Sequence, residues 1–305
     1  MLHPIHLFSQ LLPLYLIIIC GFLASRYLLV DKEHIARLLI FFITPSVVFL
    51  GLVQGPNILE ALAIPLIFCA LGYLICLFHL KLAPLFFSEQ ETRLLALGMS
   101  TGNTGYFGIP VTAMLLGTEA IASAVLCAIG QTLFENSLGY YTLARHNITP
   151  SMALRRALRL PGLHVFWICL VVGLLSWKWP PIVIEVTTLL KGAYAPLGMM
   201  IVGMGLASVK LSDVNSRLLI YSVAGKPLIW LMCVGMVLWC DSISVQLISP
   251  LTAKVMLFQA VTPMAANTVA FASETGCAPG KAALIVMVST MLGLIITPMM
   301  ASALV

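Results

Sequence analysis

The chain has 305 residues, of which 61% are hydrophobic and only 9% are charged, with a formal net charge of +5 and a mean hydropathy of +1.06. A soluble domain has about 45–50% apolar and about 25% charged residues. This composition excludes an ordinary soluble globule, a disordered chain and a nucleic-acid-binding protein. It predicts an all-α polytopic membrane protein that sits in a lipid bilayer.

Ten segments are apolar enough and long enough to cross a bilayer, since a spanning helix needs about 20 such residues. Eight contain no Asp, Glu, Lys or Arg, whereas the fifth contains Glu135 and the eighth contains Lys226. We interpret the first as a retained helix, because no basic region precedes its apolar core. In order, the segments are 1–25, 38–59, 61–80, 94–118, 120–144, 160–177, 192–209, 218–240, 255–273 and 282–305.

Basic residues are concentrated in alternate connections between these segments. Twelve Lys and Arg residues lie in connections one, three, five, seven and nine, whereas the even connections and both termini contain only Lys178 apart from residues at segment ends. The other three, Lys191, Lys226 and Lys254, lie in segments or directly at their ends. Short loops rich in Lys and Arg stay in the cytoplasm. The odd connections are therefore predicted to be cytoplasmic, and both termini to lie outside the cytoplasm.

Landmark residues recur in the two halves of the chain at offsets of 151–153 residues. The matching pairs are Gly21 with Gly173, Pro45 with Pro196, and Pro110 with Pro263. Five spans are an odd number, so a second copy must enter the membrane from the opposite side, as in many secondary transporters. We therefore expect two inverted five-helix repeats, 1–144 and 160–305, joined by a cytoplasmic connection, 145–159.

Segments four and nine contain residues that interrupt helices. Segment four has the sequence GNTGYFGIP at 102–110, and segment nine has TPMAANT at 262–268. Backbone groups freed at membrane depth must be buried in protein or line a wet cavity, and a half-helix N-terminus suits an anion. A simple kink in each helix is the alternative, but breaks at matching repeat positions favour a substrate site. The Asn103-Thr104 and Asn267-Thr268 pairs could hydrogen-bond a substrate or the opened backbone.

Two charged residues are predicted to lie at one membrane depth. Glu135 and Lys226 are each three residues from the middle of their segment, on its cytoplasmic side. A charge at such depth is costly and usually faces a partner or a wet cavity. Either the two form a structural ion pair, or Lys226 meets a substrate carboxylate or Glu135 relays a proton.

The remaining chemistry-bearing residues indicate no metal or cofactor site. The eight cysteines form no CxxC pair and are interpreted as small apolar side chains. The six histidines lie mostly at segment ends, without metal-ligand spacing. Gly203 and Ala207 in segment seven have the spacing of close helix packing, which favours a scaffold or an oligomer contact.

Several stretches together resemble the auxin efflux carrier family, PIN-like transporters related to the bile-acid sodium symporters. They are RLLIFFITPSVVFLGL at 37–52, GNTGYFGIP, APLGMMIVGMG at 195–205 and the break at Pro263. The resemblance implies ten helices in two inverted repeats, with broken helices four and nine crossing at the substrate site. Segments one, two, six and seven would form a scaffold, often dimeric, and the others an elevator-type transport domain.

The resemblance also implies a function and a set of site residues. Family members carry organic anions, including auxin in plants and dicarboxylates such as malonate or malate in bacteria. The short connection 145–159 suits a compact prokaryotic member in the cell inner membrane, present as a homodimer. Matching the motifs residue by residue, with Gly105 and Thr268 added from the same stretches, assigns substrate binding to Asn103, Thr104, Gly105, Pro110, Pro263, Asn267 and Thr268.

Three other functions compete with a secondary carrier for a small organic carboxylate. A sodium-coupled symporter of the bile-acid type needs several oxygen ligands, which backbone carbonyls at the breaks could supply, so the coupling ion stays open between H⁺ and Na⁺. An intramembrane enzyme is disfavoured because the sequence has no HExxH, no GxSxG and no paired Asp. A channel would differ from a carrier in lacking saturable counterflow.

The topology prediction can be tested by labelling. Cysteines introduced into the connection 145–159 should react only with a cytoplasmic reagent, because its basic residues hold it there. Cysteines placed at either terminus should react only from outside. A C-terminus that reacts from the cytoplasm would remove one span and contradict the inverted repeat.

Overall fold

The computed structural model describes residues 4–53, 58–144, 148–175, 179–207 and 216–304, and within these ranges every regular element is a helix. The prediction of an all-α protein is thereby confirmed. The helices are α1 Pro4–Tyr27, α2 Lys32–Leu38, α3 Thr44–Val53, α4 Ile58–Leu82, α5 Glu89–Gly98, α6 Ile109–Leu116, α7 Ile121–Phe134, α8 Tyr140–Ala144, α9 Pro150–Leu158, α10 Pro161–Leu174, α11 Pro181–Ala207, α12 Ser216–Ile243, α13 Pro250–Ala260, α14 Asn267–Thr275 and α15 Pro279–Leu304.

Several of these helices qualify as membrane spans. Six are long and apolar enough to cross a bilayer, and a seventh is added if α9 and α10, bent by 60°, are counted as one. The prediction of a multi-pass membrane protein is confirmed at this level. Three basic residues that entered the topology argument, Arg145, Lys178 and Lys210, lie outside the described residues.

Three π turns interrupt the helices of the first half. They are Leu39–Ile43 between α2 and α3, Thr104–Gly108 before α6, and Glu135–Gly139 between α7 and α8. Each adds one residue to a helical turn, and such bulges are frequent at functional sites. All three border the same cavity, described below.

Helices occupy residues outside several of the segments that hydropathy predicted; for example, the path of segment two, predicted at 38–59, begins at Lys32, and α4 already begins at Ile58. Helix α11 begins at Pro181, well before the predicted start at 192, because it tolerates Glu185 and Lys191 within its first half. The connection 145–159 contains α9, which begins with the Thr149 side chain accepting a hydrogen bond from the Met152 N–H. Segments that are defined by the absence of charged residues are therefore shorter than the helix when the helix itself contains charged residues.

Segments four and nine are both interrupted, as their glycines and prolines predicted. Helix α5 ends at Gly98 and the helical path resumes at Thr104, while α13 ends at Ala260 and α14 begins at Asn267. The helices that precede the two breaks, α5 and α13, have capped N-termini. Ser88 forms a capping box with Glu91, and Ser249 accepts from the Thr252 N–H.

Glycines let α1 and α11 pack with their backbones in contact. A Cβ on Gly203 would overlap the Ile18 carbonyl group, and one on Gly21 would overlap the backbone of Met200. This is how small residues bring membrane helices together. Gly203, which the sequence associated with a scaffold or an oligomer contact, thus makes an intrachain contact.

Polar contacts connect helices of the first half of the chain with helices of the second half. The buried Glu60, at the start of α4, accepts a hydrogen bond of 2.5 Å from the Ser249 N–H at the N-terminus of α13. A carboxylate is stabilised there by the helix dipole. Lys281 at the start of α15 forms an ion pair of 2.7 Å with Glu91 of α5, and this contact lowers the pKa of the Glu91 carboxyl.

The close contact of α1 with α11 yields a stability prediction with a neighbouring control. Gly203→Ala should lower the free energy of unfolding by about 1–3 kcal/mol, because overpacking forces the two helices apart. Gly205→Ala, two residues on, should be neutral or slightly stabilising, because nothing lies within 4 Å of the added methyl group. Thermal melting of the purified variants in detergent measures both, and equal melting temperatures would contradict the packing described.

Candidate functional site

The main cavity among the described residues has a volume of about 660 Å³ and lies beside the break of segment four. One wall is formed by α3 and the π turn before it, and another by α7 and the π turn after it. The lining residues are mostly exposed along α9, which we call the mouth of the cavity, and buried at 102–104, which we call its inner end. The start of α10 and the first turn of α14 also line the cavity. A cavity of this size accommodates a small organic molecule.

The two breaks meet at the inner end of this cavity. The Asn103 N–H donates a hydrogen bond of 2.7 Å to the Pro263 carbonyl. The hydroxyl groups of Thr101 and Thr268 lie 3.4 Å apart. We call the two non-helical stretches, 99–103 and 261–266, the crossover.

Side chains from three other helices satisfy the opened backbone of the crossover. From α12, the Trp230 Nε1–H donates to the Met99 carbonyl at 2.9 Å, and the Lys226 ammonium donates to the Thr262 carbonyl. From α7, the Gln131 side chain accepts from the Gly102 N–H at 2.9 Å. From α15, the Ser289 hydroxyl accepts from the Met264 N–H at 3.1 Å. These partners replace the helical hydrogen bonds that the break removes.

The predicted substrate-binding residues fall into two groups in the structure. Asn103, Thr104, Gly105 and Asn267 line the cavity, whereas Pro110, Pro263 and Thr268 do not. Pro110 lies in the first turn of α6, where its missing N–H is not needed. Pro263 offers its carbonyl to Asn103, and the buried Thr268 hydroxyl faces Thr101. Pro263 and Thr268 thus take part in contacts between the two breaks, and Pro110 lies in the helix that follows the first break.

Asn103 and Asn267 differ in what their side chains contact. The Asn267 amide donates a hydrogen bond of 3.0 Å to the Glu135 carboxylate. The Asn103 amide, which is 5% exposed, has no hydrogen-bond partner within the described part of the chain. Because Asn103 borders the cavity, a ligand or water there can complete the hydrogen bonds of its amide. Asn103 is therefore the stronger candidate for a direct ligand contact.

Glu135 and Lys226 do not form the ion pair that the sequence suggested as one alternative. Glu135 lines the cavity and accepts from Asn267, while Lys226 lies outside the cavity lining and donates to the carbonyls of Thr262 and Ala260. No contact between the two charges occurs among the described residues. Similar depth in the membrane did not bring them together, because the crossover lies between their helices.

Three arginines line the mouth of the cavity, Arg155 and Arg156 on α9 and Arg159 directly after it, and the sequence had associated them only with topology. Arg156 forms a bidentate ion pair with Glu274 at 3.0 and 3.2 Å, and its guanidinium carbon lies 3.9 Å from the centre of the Tyr140 ring. Arg155 and Arg159 are exposed, and neither has an ion-pair partner in the described ranges. Their positive charge at a concave mouth attracts anions.

Two tyrosines in the cavity lining were not predicted. Tyr106 belongs to the π turn of segment four, and Tyr194 projects from α11. A Cβ on Gly105 would lie 3.1 Å from the Tyr194 hydroxyl, and one on Gly198 would lie 3.2 Å from the Tyr106 carbonyl oxygen. These glycines allow the segment-four break to approach α11, and the aromatic character of the motif GNTGYFGIP was the available signal for Tyr106.

Metal-binding geometry is not found in the described part of the chain. No group of three or more His, Cys, Asp or Glu side chains lies close enough to hold an ion. The eight cysteines are free thiols, and Cys76, Cys127, Cys169 and Cys277 are buried. The cavity chemistry is therefore that of amides, hydroxyls, one carboxylate and arginines.

Broken helices that meet beside a cavity are typical of secondary membrane transporters. The sequence pattern of the family described as "Membrane transport protein" matches residues 6–301, and the chain belongs to this family. The resemblance to the PIN-like auxin efflux carriers is thereby confirmed at the level of the family.

Two archaeal relatives agree with this assignment. A protein of Methanocaldococcus jannaschii is 26% identical over 208 residues, which is 63% of this chain and 66% of the relative. A protein of Methanothermobacter thermautotrophicus is 27% identical over 219 residues, which is 70% of this chain and 68% of the relative. The chain thus aligns with about two thirds of each relative, and each is named an "uncharacterized transporter".

The separate partners of Glu135 and Lys226 predict additive effects of substitution. Lys226→Met should destabilise by about 1–3 kcal/mol, because carbonyls of the crossover lose their donor. Glu135→Gln should cost less, since its amide oxygen can still accept from Asn267. In the double variant the two losses should add, because the residues share no partner. Recovery of the melting temperature in the double variant would instead indicate a direct ion pair.

Proposed function

We propose that the protein is a secondary carrier for a small organic carboxylate, working by elevator-type alternating access. The observation that carries this proposal is the unpartnered Asn103 amide, which lines the same cavity as the exposed Arg155 and Arg159. The arginines raise the local concentration of anions. The amide then offers a neutral donor to a carboxylate oxygen, next to the backbone of the crossover.

The order of helices supports ten spans arranged as two inverted repeats. Each half contains three helical passages, a broken passage and a final helix. In the first half these are α1, α2 with α3, α4, the pair α5 and α6, and α7 with α8; in the second they are α10, α11, α12, the pair α13 and α14, and α15. In this proposal the protein lies in the cell inner membrane, and both of its termini are outside the cytoplasm.

The position of the mouth supports a state that is open to the cytoplasm. The mouth lies beside α9, and α9 belongs to the connection 145–159 that its basic residues assign to the cytoplasmic side. Alternating access then requires the crossover and its supporting helices to move past α1, α3, α10 and α11. In the proposed homodimer, these four helices would be the stationary scaffold.

The carboxylate specificity can be tested with purified protein and proteoliposomes. Mono- and dicarboxylates should raise the melting temperature, and a preloaded carboxylate should accelerate uptake of the labelled form in counterflow. Asn103→Ala should weaken binding about ten- to a hundredfold, because a hydrogen bond to a charged ligand contributes about 1.5–3 kcal/mol.

A matched control separates the ligand role of Asn103 from the integrity of the crossover. Ser100→Ala removes a buried hydroxyl from the same break, but that hydroxyl donates to the Ala96 carbonyl of its own helix and does not line the cavity. It should keep normal uptake. If Asn103→Ala and Ser100→Ala transport equally well, the substrate binds elsewhere, and counterflow that is absent for every carboxylate would refute the proposed substrate class.

A further inference from the structure

The Lys226 ammonium is placed among backbone carbonyl groups that have lost their helical partners. It donates hydrogen bonds to the Thr262 carbonyl and, at 3.4 Å, to the Ala260 carbonyl. Ala260 is the last residue of α13, and Thr262 lies in the break that follows. The lysine side chain is 2% exposed and lies outside the cavity lining. It therefore does not meet a ligand that enters the cavity.

The ammonium lies at the point where both breaks approach each other. A Cβ on Gly102 would be 3.3 Å from the Lys226 nitrogen and 2.6 Å from the Thr262 hydroxyl oxygen. The Trp230 ring centre, one turn further along α12, is 6.0 Å from the same nitrogen. The partners of the ammonium are thus carbonyl oxygens, and the described part of the chain shows no ion pair between Lys226 and a carboxylate.

This environment has the chemistry of a site for a monovalent cation. The C-terminal end of a helix carries partial negative charge, and unwound carbonyls at broken helices are ligands for Na⁺ in secondary transporters. A buried ammonium needs partners to compensate for its lost hydration. Here the carbonyls of α13 and of the crossover are those partners.

We propose that Lys226 is a built-in cation, and that its ammonium occupies the position that a coupling Na⁺ would otherwise take at the crossover. The coupling part rests on the proposed carrier function, because it states that transport proceeds without Na⁺. The structural part, which places the Lys226 ammonium in a cation site, does not depend on the carrier function. Removing the ammonium leaves carbonyl oxygens without a donor, around a space that a small external cation fills.

The structural part is tested by rescue of a truncated side chain. Lys226→Ala is purified, and its melting temperature is measured in N-methyl-D-glucamine chloride, to which NaCl, KCl or methylammonium chloride is added at constant ionic strength. The variant should melt below the wild type, and at least one of the small cations should raise its melting temperature in a saturable manner. The wild type should not respond.

Lys254→Ala is the matched control. Lys254 lies on α13 itself and is half-buried, and it makes no contact with the crossover carbonyls in the described structure. Its melting temperature should be the same in all four salts. If Lys226→Ala also melts at one temperature in all four salts, the carbonyls do not form a cation site and the proposal is overturned.

Uptake by the wild-type protein supplies a second measurement that does not depend on the folding of a variant. Carboxylate uptake into proteoliposomes should be as fast in Na⁺-free buffer as in NaCl. A requirement for Na⁺ would overturn the proposal. If no carboxylate is transported but Lys226→Ala gains a saturable cation response, the proposed function fails while the assignment of Lys226 stands.

Discussion

The opened backbone of the crossover is the constraint on which the rest of the molecule depends. Two helices stop and restart at 99–103 and 261–266, and in an apolar surrounding each freed N–H and C=O needs a partner. The Asn103 N–H donates to the Pro263 carbonyl, and side chains of α7, α12 and α15 bond to four further backbone groups of the breaks. The helices around the breaks are therefore held together by polar bonds as well as by packing.

These bonds divide the polar residues of the site into two kinds. The side chains of Lys226, Gln131 and Trp230 form hydrogen bonds with the backbone of the crossover. They are therefore unavailable to a ligand. Asn103 lies in the same break, yet its amide has no partner among the described residues and borders the cavity. A donor that the surrounding structure holds in place, such as the Asn103 amide, favours ligand binding, because it is positioned before the ligand arrives.

The connection helix α9 relates the cavity mouth to this frame. Arg156 contacts Glu274 at the end of α14 and the Tyr140 ring at the start of α8, so α9 is connected to both α8 and α14. Arg155 and Arg159 are then presented at the mouth without neutralising partners in the described ranges.

The sequence by itself determined the features that depend on local chemistry. Charge-free length predicted a multi-pass helical protein, and glycine and proline at 102–110 and 262–268 predicted both breaks, since backbone preferences act within a few residues. Only the tertiary structure decided which polar groups meet. Glu135 pairs with Asn267 rather than Lys226, and Tyr194 reaches the cavity from α11. These contacts join residues more than 80 positions apart, so no local pattern encodes them, and a residue's depth in the membrane leaves its rotational position and its partner undetermined.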